Sequence, residues 1–203
     1  MSEKVEGIRN IALVAHGGAG KTSLAEAMLF DAGVITRLGR IEEGNTALDF
    51  EPEEIKRTSS ISTGLHQLPW KKHAITLLDT PGDQNFFSDT KTCLQAADAA
   101  LVVIDGVDGV KVQTEIGWEF LEDFKLPRAI FINKLDRERS DFRRTFDEAK
   151  EMFQPKPIIL QLPIGAEAGF KGVVDLISQK AYIYSGDGKA KAAEIPADLK
   201  DEV

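Results

Sequence analysis

The sequence predicts an α/β fold built on a mostly parallel sheet, and three observations predict it. Short apolar runs alternate with amphipathic stretches along the chain, the pattern of strands and helices wound in turn. The runs at residues 99–105 and 129–133 are almost wholly apolar, which suits strands covered on both faces. A glycine-rich turn at residues 15–22 separates the first apolar run from the first helical stretch.

The elements follow in order. Residues 8–14 read as a buried strand. Residues 20–31 read as a helix, with Leu24, Ala27 and Met28 spaced i, i+3, i+4. Ile75-Thr76-Leu77-Leu78 is a second buried strand, residues 99–105 a third and residues 129–133 a fourth. Between the last two lies a helix carrying Ile116, Phe120 and Phe124 on one stripe. Another follows, with Phe142, Phe146, Ala149 and Phe153. Two stretches break the alternation. Residues 33–63 are long, polar and Glu-rich, so they read as a binding loop, a lid, a disordered segment or a plain mobile surface loop. From Pro155 onward an apolar run, Ile158-Ile159-Leu160, and a glycine-rich turn open a further group of elements. Residues 186–193 read as a loop, and Ile195-Pro196 as the start of a helix with few residues after it. The expected division is a core of residues 1–154 and an incomplete subdomain of residues 155–203.

Composition narrows the function. The chain has 203 residues and a formal net charge of −8, the wrong sign for attraction to a phosphate backbone, so direct DNA binding is not expected. The single cysteine, Cys93, excludes an internal disulfide and fits a cytoplasmic protein. The longest apolar run is far too short to span a bilayer, and the polar amino end (Met1-Ser2-Glu3-Lys4) lacks a signal-peptide core. No membrane association is expected.

Three motifs carry the chemistry. Ala15-His16-Gly17-Gly18-Ala19-Gly20-Lys21-Thr22 is a GxxxxGK[ST] phosphate loop with alanine at its first position. Its glycines let successive backbone N–H groups converge on one anion, and the helix that follows adds its positive dipole end. Lys21 reaches β- and γ-phosphates, and the Thr22 hydroxyl can ligate Mg²⁺. His16 reads as a packing or hydrogen-bonding residue. The second motif, Asp79-Thr80-Pro81-Gly82, ends a buried strand, where ligands collect in open α/β sheets. Asp79 can hold a Mg²⁺-bound water, and the Gly82 N–H can sense a γ-phosphate. The third, Asn133-Lys134-Leu135-Asp136, ends the fourth strand. The Asp136 carboxylate can accept two parallel bonds from guanine N1–H and N2–H₂, which adenine does not offer. Asn133 can support the base's O6 side, and the Lys134 stem can lie across the ring. This motif disfavours an ATPase.

With those motifs in place, the chain resembles the translational GTPases, and among them elongation factor G, whose fold is a P-loop GTP-binding (G) domain. Beyond the motifs shared by GTPases, Gln161-Leu162-Pro163-Ile164-Gly165-Ala166-Glu167, Phe170-Lys171-Gly172, Val174-Asp175-Leu176 and Lys180-Ala181-Tyr182 are similar to the start of the subdomain inserted in that factor's G domain. The resemblance implies binding of GTP and GDP with Mg²⁺, and hydrolysis coupled to ribosome translocation or recycling. The implied nucleotide-binding set is Ala15, His16, Gly17, Gly18, Ala19, Gly20, Lys21, Thr22 and Ser23, then Asp79, Thr80, Pro81, Gly82 and Asp83, then Asn133, Lys134 and Asp136. The implied magnesium set is Thr22, Ser60 and Asp79, and the implied catalytic set Lys21, Gly82 and Asp83.

The departures from the family pattern are specific. Gly18 replaces an aspartate in the phosphate loop. Arg57-Thr58-Ser59-Ser60-Ile61 stands for R-G-I-T-I, so Ser60 takes the place of a magnesium-binding threonine. Asp83 replaces the histidine that orients the attacking water, adding negative charge where charge already develops. Two functions therefore stay open: a ribosome-dependent GTPase, or a guanine-nucleotide switch that turns over little. A drug-resistance factor of the same domain type fits as well. No Ser-Ala pair follows Asp136, so the chain is expected to be a fragment that lacks a closing strand and a guanine-covering loop. Alone, it is expected to bind guanine nucleotide poorly and to associate.

Overall fold

The first apolar run forms β1 (Ile8–Val14), and its last three side chains are buried, Leu13 in a cluster with Ala25 and Leu29, and Val14 against Gly117. The structure, a computed structural model, describes residues 5–185 and 189–203. The expected polar start at residues 1–4 and residues 186–188 of the expected loop lie outside that set. After β1 come α1 (Lys21–Asp31), α2 (Pro52–Arg57), β2 (Gly64–Trp70), β3 (His73–Asp79), α3 (Phe87–Leu94), β4 (Ala99–Asp105), α4 (Val112–Asp123) and β5 (Arg128–Asn133). The five strands make one sheet in the order β2-β3-β1-β4-β5. β1 runs parallel to β3, from Ile8 opposite Ala74 to Leu13 opposite Asp79, and parallel to β4. β2 is antiparallel to β3. Parallel pairing brings the carboxyl ends of β1, β3 and β4 to one side of the sheet, where each runs into a loop.

The chain divides into two compact units. One comprises the described residues of Met1–Ile104 with Val110–Asn133, the other Asp105–Gly109 with Lys134–Val203. The first holds the sheet and a buried cluster of Leu13, Ala25, Leu29, Leu48, Leu68 and Leu77. The second contains α5 (Phe142–Met152) and an antiparallel sheet of β6 (Gln161–Ile164), β7 (Gly172–Asp175), β8 (Lys180–Tyr184) and β9 (Ala190–Ala193) in sequential order. Leu162, Ile164, Val174 and Ala181 form its core, with Phe142 of α5 packed against them.

The four predicted strands and the three predicted amphipathic helices form, and the structure adds α2, β2 and α3 in the first unit and β6–β9 in the second. Several expectations change. The buried face of α4 is not the Ile116–Phe120–Phe124 stripe but Thr114, Gly117, Trp118 and Leu121, one notch around the helix. Gly117 decides this: a Cβ there would stand 2.6 Å from Val14 Cγ1, so the missing side chain lets the helix settle on β1. Phe120 instead packs on Phe87 of α3, with ring centroids 5.8 Å apart. The run Ile158-Ile159-Leu160 leads directly into β6, as the opening of a further group of elements, with Ile158 and Leu160 exposed. Strand β9 occupies residues 190–193 of the expected loop, pairing three alanines and Lys191, all exposed, with β8. After Pro196 there is one 3-10 turn, Ala197–Leu199, rather than an α-helix.

The Glu-rich connection at 33–63 contains α2 and a 3-10 turn, and two buried carboxylates organise it. Glu26 of α1 accepts bonds from the Gly39 and Ala47 N–H groups. Glu54 accepts from Phe50 and Glu51 on one oxygen and from Ile61 and Ser62 on the other, at 2.9–3.2 Å. Irregular backbone can order only where its N–H groups find partners, and here two side chains supply six.

Candidate nucleotide-binding site

The phosphate loop joins β1 to α1. Gly18 and Gly20 carry φ of +84° and +94°, and Gly20 forms the amino cap of α1. These left-handed positions suit glycine, and they curl the loop so that its N–H groups can face inward. Ala15, Ala19, Lys21 and Thr22 are buried, whereas Ser23 is exposed on α1. His16 is buried with Nδ1 3.3 Å from the Thr114 hydroxyl, which agrees with the packing role read from the sequence.

Lys21 folds back over its own loop. Its Nζ donates to the carbonyls of His16 at 3.2 Å and Ala15 at 3.4 Å. Burial lowers its pKa, opposed by the nearby carboxylates of Asp79 and Asp49. Thr22 Oγ1 donates to Asp79 Oδ2 at 2.6 Å and lies 3.4 Å from Ser60 Oγ. Ser60 in turn donates to Asp49 Oδ1 at 2.8 Å. The three predicted magnesium residues therefore meet, and Asp49 joins them.

Asp79 is almost wholly buried, and its Oδ1 has no hydrogen-bond partner among the described residues. Burial pushes its pKa up to about 6, against the pull of Lys21 and Thr22. A buried carboxylate oxygen left without a donor, beside two hydroxyls, fits a divalent cation and its water. The donor set is all oxygen, as Mg²⁺ prefers.

The rest of the second motif is pinned from both sides. Thr80 Oγ1 donates to Leu13 O at 2.7 Å, and Thr90 of α3 donates to Pro81 O at 2.8 Å. Gly82 then lies flat against the phosphate loop: a Cβ there would stand 2.6 Å from both Gly17 N and Lys21 Nζ. Asp83 caps the 3-10 turn that follows. One of its oxygens, Oδ1, accepts from both Asn85 N and Asn85 Nδ2, each at 2.8 Å.

Asn133 ends β5 in the first unit. Its Nδ2 donates to Ala19 O at 2.9 Å, which ties the third motif's first residue to the phosphate loop. Lys134 and Asp136 belong to the second unit. Lys134 adopts φ +60° and sets its Nζ 2.7 Å from Asp105 Oδ2. Burial opposes ionisation of Asp105, but Lys134 and the N–H groups of Val107 and Asp108 outweigh it and hold the carboxyl below its usual range. The Asp136 side chain is exposed, with Arg137 Nε 4.0 Å away.

The chain is similar to known proteins. Residues 6–197 match the model for the elongation factor Tu GTP binding domain. The chain belongs to that family. This GTP-binding domain is similar to elongation factor G of Granulibacter bethesdensis, 41% identical over 201 residues, covering 98% of this chain and 29% of the relative. It is also 41% identical over 198 residues to elongation factor G of Gluconobacter oxydans, covering 96% of this chain and 28% of that protein. A crystal structure from Thermus thermophilus superposes with a TM-score of 0.90 and 36% identity, over 96% of this chain and 29% of that one. The fold is that of a P-loop GTPase G domain. This GTP-binding domain thus spans under a third of the length of these relatives.

Sequence reasoning missed Asp49, Glu54 and Asp105. The rule that singled out Asp79, an aspartate ending a buried strand, finds Asp105 equally. Asp49 and Glu54 leave no such signal, since both stand in irregular polar sequence.

Proposed function

We propose that this chain binds guanine nucleotide with Mg²⁺ and hydrolyses GTP as the G domain of an elongation factor G-like protein that works on the ribosome. The observation that carries the reading is the convergence of Thr22, Ser60 and the half-satisfied Asp79 beside Lys21. Lys21 supplies positive charge to the phosphates, and the loop N–H groups cradle them. Thr22, Ser60 and Asp79 would hold the metal, which when bound would supply positive charge against the negative charge that develops on the phosphates. The Gly82 N–H is the γ-phosphate sensor, and its seat on Gly17 couples that loop to the phosphates. Asp136, exposed and in no buried ion pair among the described residues, is available to read guanine. Residues 1–154 are assigned to the nucleotide-binding core and residues 155–203 to the inserted subdomain. The expected compartment is the cytoplasm; among the described residues no helix is long and apolar enough to cross a membrane.

A second reading, a switch that works by occupancy and turns over little, is favoured by Asp83. Its carboxylate is engaged in capping the next turn and carries the wrong charge for a transition state rich in negative charge. Single-turnover GTP hydrolysis with and without ribosomes distinguishes the two. Slow hydrolysis that rises about ten-fold or more in Asp83→His supports the switch. Ordinary ribosome-stimulated turnover, with no gain in that variant, supports the enzyme. Competition by GTP but not ATP tests the guanine reading itself.

A further inference from the structure

The loop bearing Asp136 is held from the β6–β7 connection by one residue. Glu167 stands in that connection with φ +50°, a left-handed conformation that is costly for a non-glycine residue. Gly165, at φ +81°, makes the preceding bend, where a Cβ would overlap the Gly169 carbonyl. The result is a tight turn that holds Glu167 outward as a bracket. Its N–H donates to Leu135 O at 2.9 Å, and its Oε1 accepts from Arg139 N at 2.6 Å. Asp136 lies between those two attachment points. The Leu135 carbonyl also accepts from the Ser140 hydroxyl at 2.9 Å, so both its lone pairs are engaged. On the other flank Lys134 is anchored to Asp105.

We infer that Glu167 is a positioning residue for guanine specificity, fixing the 135–139 loop so that the Asp136 carboxylate is presented in one orientation. The inference rests on the proposal that Asp136 reads the base. Two parallel hydrogen bonds from a base edge demand a fixed carboxylate plane, and an exposed aspartate in a short loop does not have one unless its backbone is tied on both sides. A charged acceptor on the Arg139 N–H provides the second tie. The β6–β7 connection therefore serves the third motif directly.

The test compares Glu167→Ala, Glu167→Gly and Glu167→Gln with the unaltered protein. Inosine diphosphate lacks the 2-amino group of guanine, so the ratio of GDP to IDP affinity reads one of the two bonds to Asp136. Glu167→Ala and Glu167→Gly are expected to compress that ratio about five-fold, the glycine variant doing so without backbone strain. Glu167→Gln, which keeps an acceptor, is expected to stay within about two-fold of the unaltered protein. Hydrogen exchange at the Arg139 amide, measured without nucleotide, is expected to speed up about ten-fold in the alanine and glycine variants. An unchanged ratio with faster exchange shows that Glu167 orders the loop without tuning specificity and overturns the inference; unchanged exchange overturns it at the first step. If the unaltered protein does not prefer GDP to IDP or ADP, it is the guanine reading of Asp136 that fails, and the exchange measurement still decides whether Glu167 is the tie.

Discussion

Two aspartates end the two buried strands that flank β1, and they meet opposite fates. Asp105, at the end of β4, is met by the Lys134 ammonium and by two backbone N–H groups, and it stays ionised below the usual carboxylate range. Asp79, at the end of β3, receives one threonine hydroxyl on one oxygen and nothing from the described residues on the other, and burial pushes it up to about 6. Residue type and topological position are the same, so neither tells the two apart. Satisfaction does. The protein has spent Asp105 on its own structure and left Asp79 with bonding capacity unused.

The largest expected effect follows from that reserve. Asp79→Asn should weaken the Mg²⁺ dependence of nucleotide binding by about 10–100-fold, read by magnesium titration of a fluorescent GDP analogue. Folding stability should hold or rise, because a poorly solvated charge has been removed. Asp105→Asn should do the reverse. It should cost about 2 kcal/mol in urea denaturation by leaving Lys134 without its carboxylate, while magnesium dependence stays as it was. Equal effects of the two substitutions on metal dependence would erase the distinction.

Acidity sharpens it further. The folded pKa of Asp105 lies below its unfolded value, so its contribution is present above about pH 4 and lost as pH falls through the folded value. Asp79 runs the other way. Its folded pKa is raised, so its contribution declines as pH climbs from about 4 to about 6 and is level above that. Denaturation across a pH series should therefore show a shallower decline between about pH 4 and 6 in Asp79→Asn and a shallower acidic limb in Asp105→Asn. The smallest effect belongs to an exposed pair of the same chemistry. Glu53, 2.7 Å from Arg57 on the surface of α2, should change stability by less than about 0.5 kcal/mol as Glu53→Gln.

Most of the sheet was legible in the sequence because a strand covered on both faces must be apolar throughout, as in β4. β2 was not legible, since at the sheet's edge only Gly64 and Leu68 of its seven residues are buried. α3 hid because a threonine, Thr90, takes a central place on its buried face and hydrogen-bonds Pro81 there. The three motif loops were legible because turn chemistry is local. The order in residues 33–63 was not, because it depends on Glu26 and Glu54 reaching backbone groups up to 21 residues away, and such bonds leave no periodic trace. Asp83 is a case of half a reading: its charge could be judged from the sequence, but its use as a turn cap needed the geometry.

The seat of Gly82 against Gly17 and Lys21 bears on how this chain can diverge. With backbone and an ammonium nitrogen both 2.6 Å from any added carbon, even the smallest side chain forces two loops apart. Saturation mutagenesis of codon 82, selected for nucleotide-dependent activity, should return glycine alone, whereas codon 18, with open space around its Cβ direction, should also accept asparagine. Drift along this lineage is thus channelled around a fixed point set by how closely two loops approach each other.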